Sequence, residues 1–191
     1  MNIQVVPAPD DLAYRVDANA RITFVNDRWD DFARDNGAPE LTGAAVIGRL
    51  MSEFISGAET WHLYELLTQH AQRVRRPFTL FFRCDAPHAQ RFMQMRISAL
   101  SDRQIEFHSH ALEIRPRTAM ALLMAGAGRD PSRLLHICSW CNRGEVNRRW
   151  MEIDQVVRTL GLFEGQPLPR LTHGVCDECR AQVEAEFHSA C

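Results

Sequence analysis

The chain contains no lysine, since all 22 of its basic residues are arginine. A Schiff-base lysine, a phosphate-loop lysine and the kinase strand lysine are therefore excluded together. Long apolar runs are also missing. The longest, residues 119–128, falls far short of the roughly 20 residues a membrane span requires, and the opening MNIQVVPAPDD has neither the basic flank nor the apolar core of a signal segment. A cytoplasmic location without a membrane partner is expected. Neither sign of charge dominates, with 22 basic against 24 acidic residues and a net charge of −2, so nothing draws the chain as a whole to nucleic acid. No Gly-x-Ser-x-Gly elbow, phosphate loop or His-Glu-x-x-His motif occurs. Asp30-Asp31 and Asp177-Glu178 are neighbours that point apart on a helix, which makes them poor acid–base couples. A non-catalytic protein is expected. Its 191 residues, 46% apolar, are enough for one ordinary domain and a smaller appendage.

Cysteine is sparse but patterned. Four of the six form two identical spacings, Cys138-Ser-Trp-Cys141 and Cys176-Asp-Glu-Cys179, separated by 34 residues. Two residues between thiols let both sulfurs of a tight turn reach one centre about 2.3 Å away, and two such turns complete the four-sulfur shell that zinc prefers. The expected cofactor is Zn2+, held by Cys138, Cys141, Cys176 and Cys179. Cys84 and Cys191 stand outside the pattern, and Cys84 on an apolar strand reads as a small buried hydrophobe. His173, three residues before Cys176, is expected to support a sulfur rather than replace one.

Hydrophobic periodicity predicts strands over residues 12–17 and 21–25, a helix from Trp29 to the Asn36-Gly37 stop, a short helical piece after Gly48, and a long helix over 59–75 ended by Pro77. Three strands follow at 78–84, 92–100 and 103–114, close enough to be an antiparallel meander. Residues 117–131 read as a connector with an apolar helix over 118–125 and a loose Gly126–Pro131 stretch. A helix carrying Trp150, Ile153, Val156, Val157 and Leu160 ends at Gly161, and a last helix runs over 176–187, so the second thiol pair sits at a helix N-terminus where thiolate is favoured.

The segments VDANARITFVNDRWDDFARDNG, VIGRLMSEFISG, PFTLFFRCDAP and RFMQMRISAL, in that order, resemble the PAS sensory fold of bacterial signalling proteins over residues 8–116. CSWCNR, the Trp-containing helix and THGVCDEC resemble the cysteine-rich tail that accompanies some of them. The resemblance implies an α+β chain: a five-stranded antiparallel sheet with helices on one face, then a small treble-clef-like zinc module at 132–191. It also implies a cavity between sheet and helices, whose candidate lining residues are Phe24, Trp29, Phe32, Phe82, Met95 and Phe107. Each is more simply a core residue. The cavity ligand is left unidentified. Flavin is not favoured, because the Asn-Cys-Arg-Phe type of motif of photosensor PAS domains is missing. Haem would need His62 or His70 on the long helix, and a lone helical histidine is weak support. His108 and His110 share one face of the last strand and could pair on a metal, but the sequence offers no third ligand beside them.

Together these features imply a sensory or regulatory protein that signals to a protein partner. It is expected to form a homodimer through the apolar connector (Ala119, Met120, Leu122, Leu123, Met124), which needs a neighbour to cover it. Two other readings stay open. A DNA-binding zinc regulator is opposed by the charge from Cys138 onward, six arginines against eight carboxylates before the thiolates are counted. A redox switch is permitted by the oxidisable thiols, without a dedicated base.

Overall fold

The computed structural model describes residues 11–124, 127–162 and 167–189. Five strands, β1 (Leu12–Val16), β2 (Ile22–Val25), β3 (Phe78–Arg83), β4 (Ala89–Ala99) and β5 (Ile105–Pro116), form an antiparallel sheet in the order β2-β1-β5-β4-β3. Strict alternation explains its two faces. Met93, Met95 and Ile97 of β4 and Ile105 and Phe107 of β5 are buried on the inner face, while Glu106, His108 and His110 face outward.

Helices α1 (Trp29–Asp35), α2 (Gly43–Val46) and α3 (Ala58–Val74) and a 3-10 turn at Met51–Phe54 lie between β2 and β3. Helix α3 buries Leu63, Leu67, His70 and Ala71 against the sheet. It ends at Arg75, whose φ of 51° is left-handed, two residues before Pro77. The chain is thus mixed α+β with a five-stranded antiparallel sheet, as expected from the sequence. None of its described helices is long and apolar enough to cross a membrane.

A second sheet, in the order β8-β7-β6-β9, contains β6 (Arg129–Cys138), β7 (Gly144–Val146), β8 (Arg149–Met151) and β9 (Leu168–Gly174); β6 and β9 run parallel. Asn147 and Arg148, both at positive φ, make the two-residue turn between β7 and β8. Helix α4 (Ile153–Leu160) covers this sheet, with Ile153 and Val156 against Leu135, Ile137, Val146 and Leu168. Helix α5 (Asp177–Ser189) ends the described chain, and Cys191 lies outside it.

Three expectations need correction. Trp150 is not on α4 but in β8, its ring 5.2 Å from His136; Glu152 and Gln155 cap the helix and start it at Ile153. The connector holds no helix over 118–125 among its described residues, only a 3-10 turn at Ala121–Leu123, with residues 125 and 126 outside the described chain. It is not loose either, since Arg129–Pro131 already belongs to β6. Arg117 donates to the Ala86 and Pro87 carbonyls, Met120 N–H bonds Pro87, and Leu122, 1% exposed, joins the core of the second sheet. So few residues bond more profitably with the 85–88 loop than within an isolated helix. Leu122, one of the connector residues expected to need a neighbour, is covered by its own chain, while Met124 stays exposed.

Candidate metal centre

Cys138 ends β6 and starts a tight knuckle. Asn142 at φ 58° turns the chain back, its N–H bonding the Cys138 carbonyl while the Cys138 N–H bonds Arg143 O. Asparagine tolerates this left-handed position better than most side chains. Cys176 and Cys179 come from the turn before α5 and from its first turn. The four Sγ atoms lie within 4.8 Å of one another, and Cys141 Sγ and Cys176 Sγ are 3.9 Å apart. Sulfurs bound tetrahedrally at about 2.3 Å would sit roughly 3.8 Å from each other, so the thiols are already spaced for one ion. Cys138, Cys176 and Cys179 are buried and Cys141 is half-buried.

Such close thiols cannot all ionise unaided. Cys141 is held far below the usual thiol range by hydrogen bonds from Cys138 and Cys179, helped by Arg143, whose Nε lies 3.2 Å from Sγ. Its negative charge keeps protons on its neighbours: the hydrogen bond to Cys141 pushes Cys138 up to about 11, and those to Cys138 and Cys141 raise Cys179 further. A divalent cation would replace those protons. Arg143 also reaches to 3.7 Å from Cys176 Sγ and pairs with Glu178, and the Cys176 N–H points at Cys138 Sγ from 3.4 Å. These donors offset thiolate charge around the cluster. His173 is not among the clustered ligands; burial, then His136, lowers its pKa, and its carbonyl lies against Gly57.

The cluster is joined to the first sheet by the residue between its first two thiols. Trp140 is 3% exposed and inserts between α3 and β3, its ring 6.3 Å from Tyr64 and 5.9 Å from Phe82. Its indole N–H donates to Phe81 O at 2.7 Å, Arg83 N–H donates to Trp140 O at 2.8 Å, and Asn142 Nδ2 donates to Arg83 O at 3.2 Å. The knuckle therefore satisfies the open edge of β3, which would otherwise expose unpaired backbone groups. On the α3 side, Thr60 bonds Ser139 at 2.9 Å and Glu59 accepts the Val175 N–H at 3.2 Å. Backbones approach closely enough here that a Cβ on Gly57 would stand 2.4 Å from His173 O. One continuous core runs from Val16, Ile97 and Phe107 through Leu63 and Leu67 to Trp140, Cys176 and Val183.

The candidate cavity residues divide accordingly. Met95 and Phe107 are buried in that core, and Phe82 packs against it beside Trp140. Tyr14 stacks on Phe107 at 4.9 Å and Tyr64 leans on the same ring at 5.9 Å, so these rings fill one another's space. Burial keeps both phenols protonated, with Tyr64 pushed up to about 12. Trp29 touches Tyr14 edge-on and donates to Leu41 O. Phe32 lies under the Arg91 guanidinium, 5.4 Å away. Phe24 does not line the interior. It pairs across from Arg15 on the outer sheet face, 36% exposed beneath that guanidinium, because β2 presents it on the opposite side from Ile22 and Val25.

His62 is exposed beside Glu65, while His70 is buried between Phe78 and Phe187, so the two are not brought together. Cys84 is only half-buried, 3.8 Å from Arg91 Nη2. Sequence reasoning missed Trp140 as the anchor and missed the buried Asp85, which holds Arg83 and Arg117 and lies where Arg83 also reaches Glu152 of the second module. Arg83 and Asp85, two apart in FRCDAP, were the available signal.

No family model and no curated protein matches the chain. Among solved structures it is similar to the PAS domain of the Cronobacter turicensis RpfR quorum-sensing receptor in complex with C12:0, with 15% identity, a TM-score of 0.41, and coverage of 57% of this chain and 100% of that one.

Proposed function

We propose that the protein is a non-catalytic sensory or regulatory protein of PAS type, in which zinc on Cys138, Cys141, Cys176 and Cys179 fastens a treble-clef-like module onto the sensor sheet. The observation that carries this reading is Trp140. A residue of the thiol knuckle forms part of the sheet–helix core, so metal occupancy and sensor packing share one set of contacts. All-sulfur donors in a closed, mostly buried shell suit structural zinc, which contributes folding free energy directly. A shift in the packing of α3 on β3 would reorient the knuckle and α5, and the change passes to a protein partner. Self-association keeps a place in this reading through the outer sheet face, where Phe81 and Leu112 are exposed. The DNA reading gains nothing: Arg143, the basic residue beside the thiols, is engaged by Glu178 and Cys141 rather than turned toward a phosphate.

Metal analysis with hydrogen exchange tests the proposal. Purified protein should carry zinc on the four cysteines and show no haem or flavin absorbance. Chelation should release the protection of β3 and the first half of α3 along with that of the knuckle. Protection of β3 that survives complete zinc removal would overturn the coupling.

A further inference from the structure

The outer face of the first sheet carries a second constellation of ligand atoms, independent of the cysteines. β5 presents His108 and His110 on one side, as alternate residues must be. The antiparallel register of β1 on β5 sets Ala13 opposite His108 and Leu12 opposite Ser109, which brings Asp11, just before β1, alongside His110. The sequence showed two histidines without a third ligand; strand pairing supplies it. One ligand atom from each of Asp11, His108 and His110 lies within 4.8 Å of the others, and all three residues are half-buried.

The corner is held in place. Asn26 Nδ2 donates to the Asp11 carbonyl at 2.9 Å, and the Asn26 N–H donates to Ala13 O at 2.9 Å. The Asp11 carboxylate is poorly satisfied by protein groups. Its buried Oδ1 is 2.7 Å from His108 Nε2, yet the contact lacks hydrogen-bond geometry and the oxygen has no other partner. Asn26 Oδ1 is likewise buried without one. A buried carboxylate oxygen without a directed donor is costly, and a cation is the simplest compensation.

We propose that Asp11, His108 and His110 form a second metal site, which takes a first-row divalent transition ion such as Zn2+. Two imidazoles and one carboxylate on one face suit borderline divalent ions and leave positions open to water or a ligand, unlike the closed four-sulfur site. Asp11 and His108 would separate, to about 3.4 Å, as both bind a tetrahedral ion at about 2.0–2.2 Å. Of the neighbouring outward residues, Gln94 stands opposite His110 and Arg96 opposite His108 on β4. Arg96 is exposed and can turn into solvent, whereas Arg15 is committed to Glu106 at 2.7 Å.

The test is zinc stoichiometry by calorimetry on the full chain, with side-chain histidine NMR to locate the ion. Wild type should bind two zinc ions. The second should shift the imidazole signals of His108 and His110 while leaving those of His62 and His136 in place. His110→Ala and Asp11→Asn should each weaken the second ion at least about tenfold and leave the melting temperature of the metal-free protein within a few degrees. Failure of the cysteine reading alone would appear as one ion in wild type and none in these variants. A wild type that takes no ion beyond the cysteine-bound one, or a second ion indifferent to both substitutions, would overturn the proposal.

Discussion

Trp140→Ala is the most direct probe of whether the thiol knuckle and the first sheet are one cooperative body. The side chain is 3% exposed, contacts Tyr64 and Phe82, and donates to Phe81 O. Truncating a buried aromatic of this size costs about 3–5 kcal/mol, and the Phe81 carbonyl at the sheet edge loses its donor as well. For a chain of this length each kcal/mol lowers the melting temperature by roughly 2–4 °C, so a drop of about 6–20 °C is expected. Trp140→Phe keeps most of the ring contacts and loses the N–H bond, which should cost about 0.5–1.5 kcal/mol. Thermal unfolding followed by circular dichroism, with zinc release followed in parallel by a chromogenic chelator, reads both modules at once. The two signals should move down together in Trp140→Ala. A variant in which zinc leaves early while the first sheet melts at the wild-type temperature would refute the shared core.

The double variant Cys176→Ser, Cys179→Ser should lose the zinc and expose β3 and α3 to hydrogen exchange, because the same core contains Cys176, Cys179 and Val183. Arg143→Leu removes the donor on Cys141 and Cys176 and should weaken zinc about 10–100-fold in chelator competition, without loss of stoichiometry. Asp85→Ala leaves Arg83 and Arg117 buried with less compensation and should cost about 3–5 kcal/mol in urea unfolding. His70 has its pKa lowered by burial and then by Arg73 and Arg76, so it resists protonation when folded. Its contribution is complete above the unfolded value of about 6.5 and is lost as pH falls below it. Wild type should therefore lose urea resistance on acidification through that range, and His70→Gln should lose less; equal slopes would show that His70 is not the group responsible.

The features legible in the chain before folding are those that short-range pattern carries. The alternation in RFMQMRISAL and QIEFHSH specified strands and their inner faces, Pro77 and Gly161 marked helix ends, and two Cys-x-x-Cys spacings specified a four-thiol cluster, because turn geometry and period are local properties. The connector was misjudged for a local reason too: its apolar run matched a helix, but its backbone groups found better partners in the 85–88 loop. The remaining features came from long-range pairing. Register put Phe24 outside and set Asp11 beside His108 and His110, since it joins residues that have no neighbourhood in the sequence. Chain closure placed Trp140 against Tyr64 and Phe82 on the open edge of β3, where its indole and the knuckle backbone satisfy groups that no other strand reaches. In the sequence Trp140 is one aromatic between two ligands; the fold makes it the contact through which metal and sheet are joined.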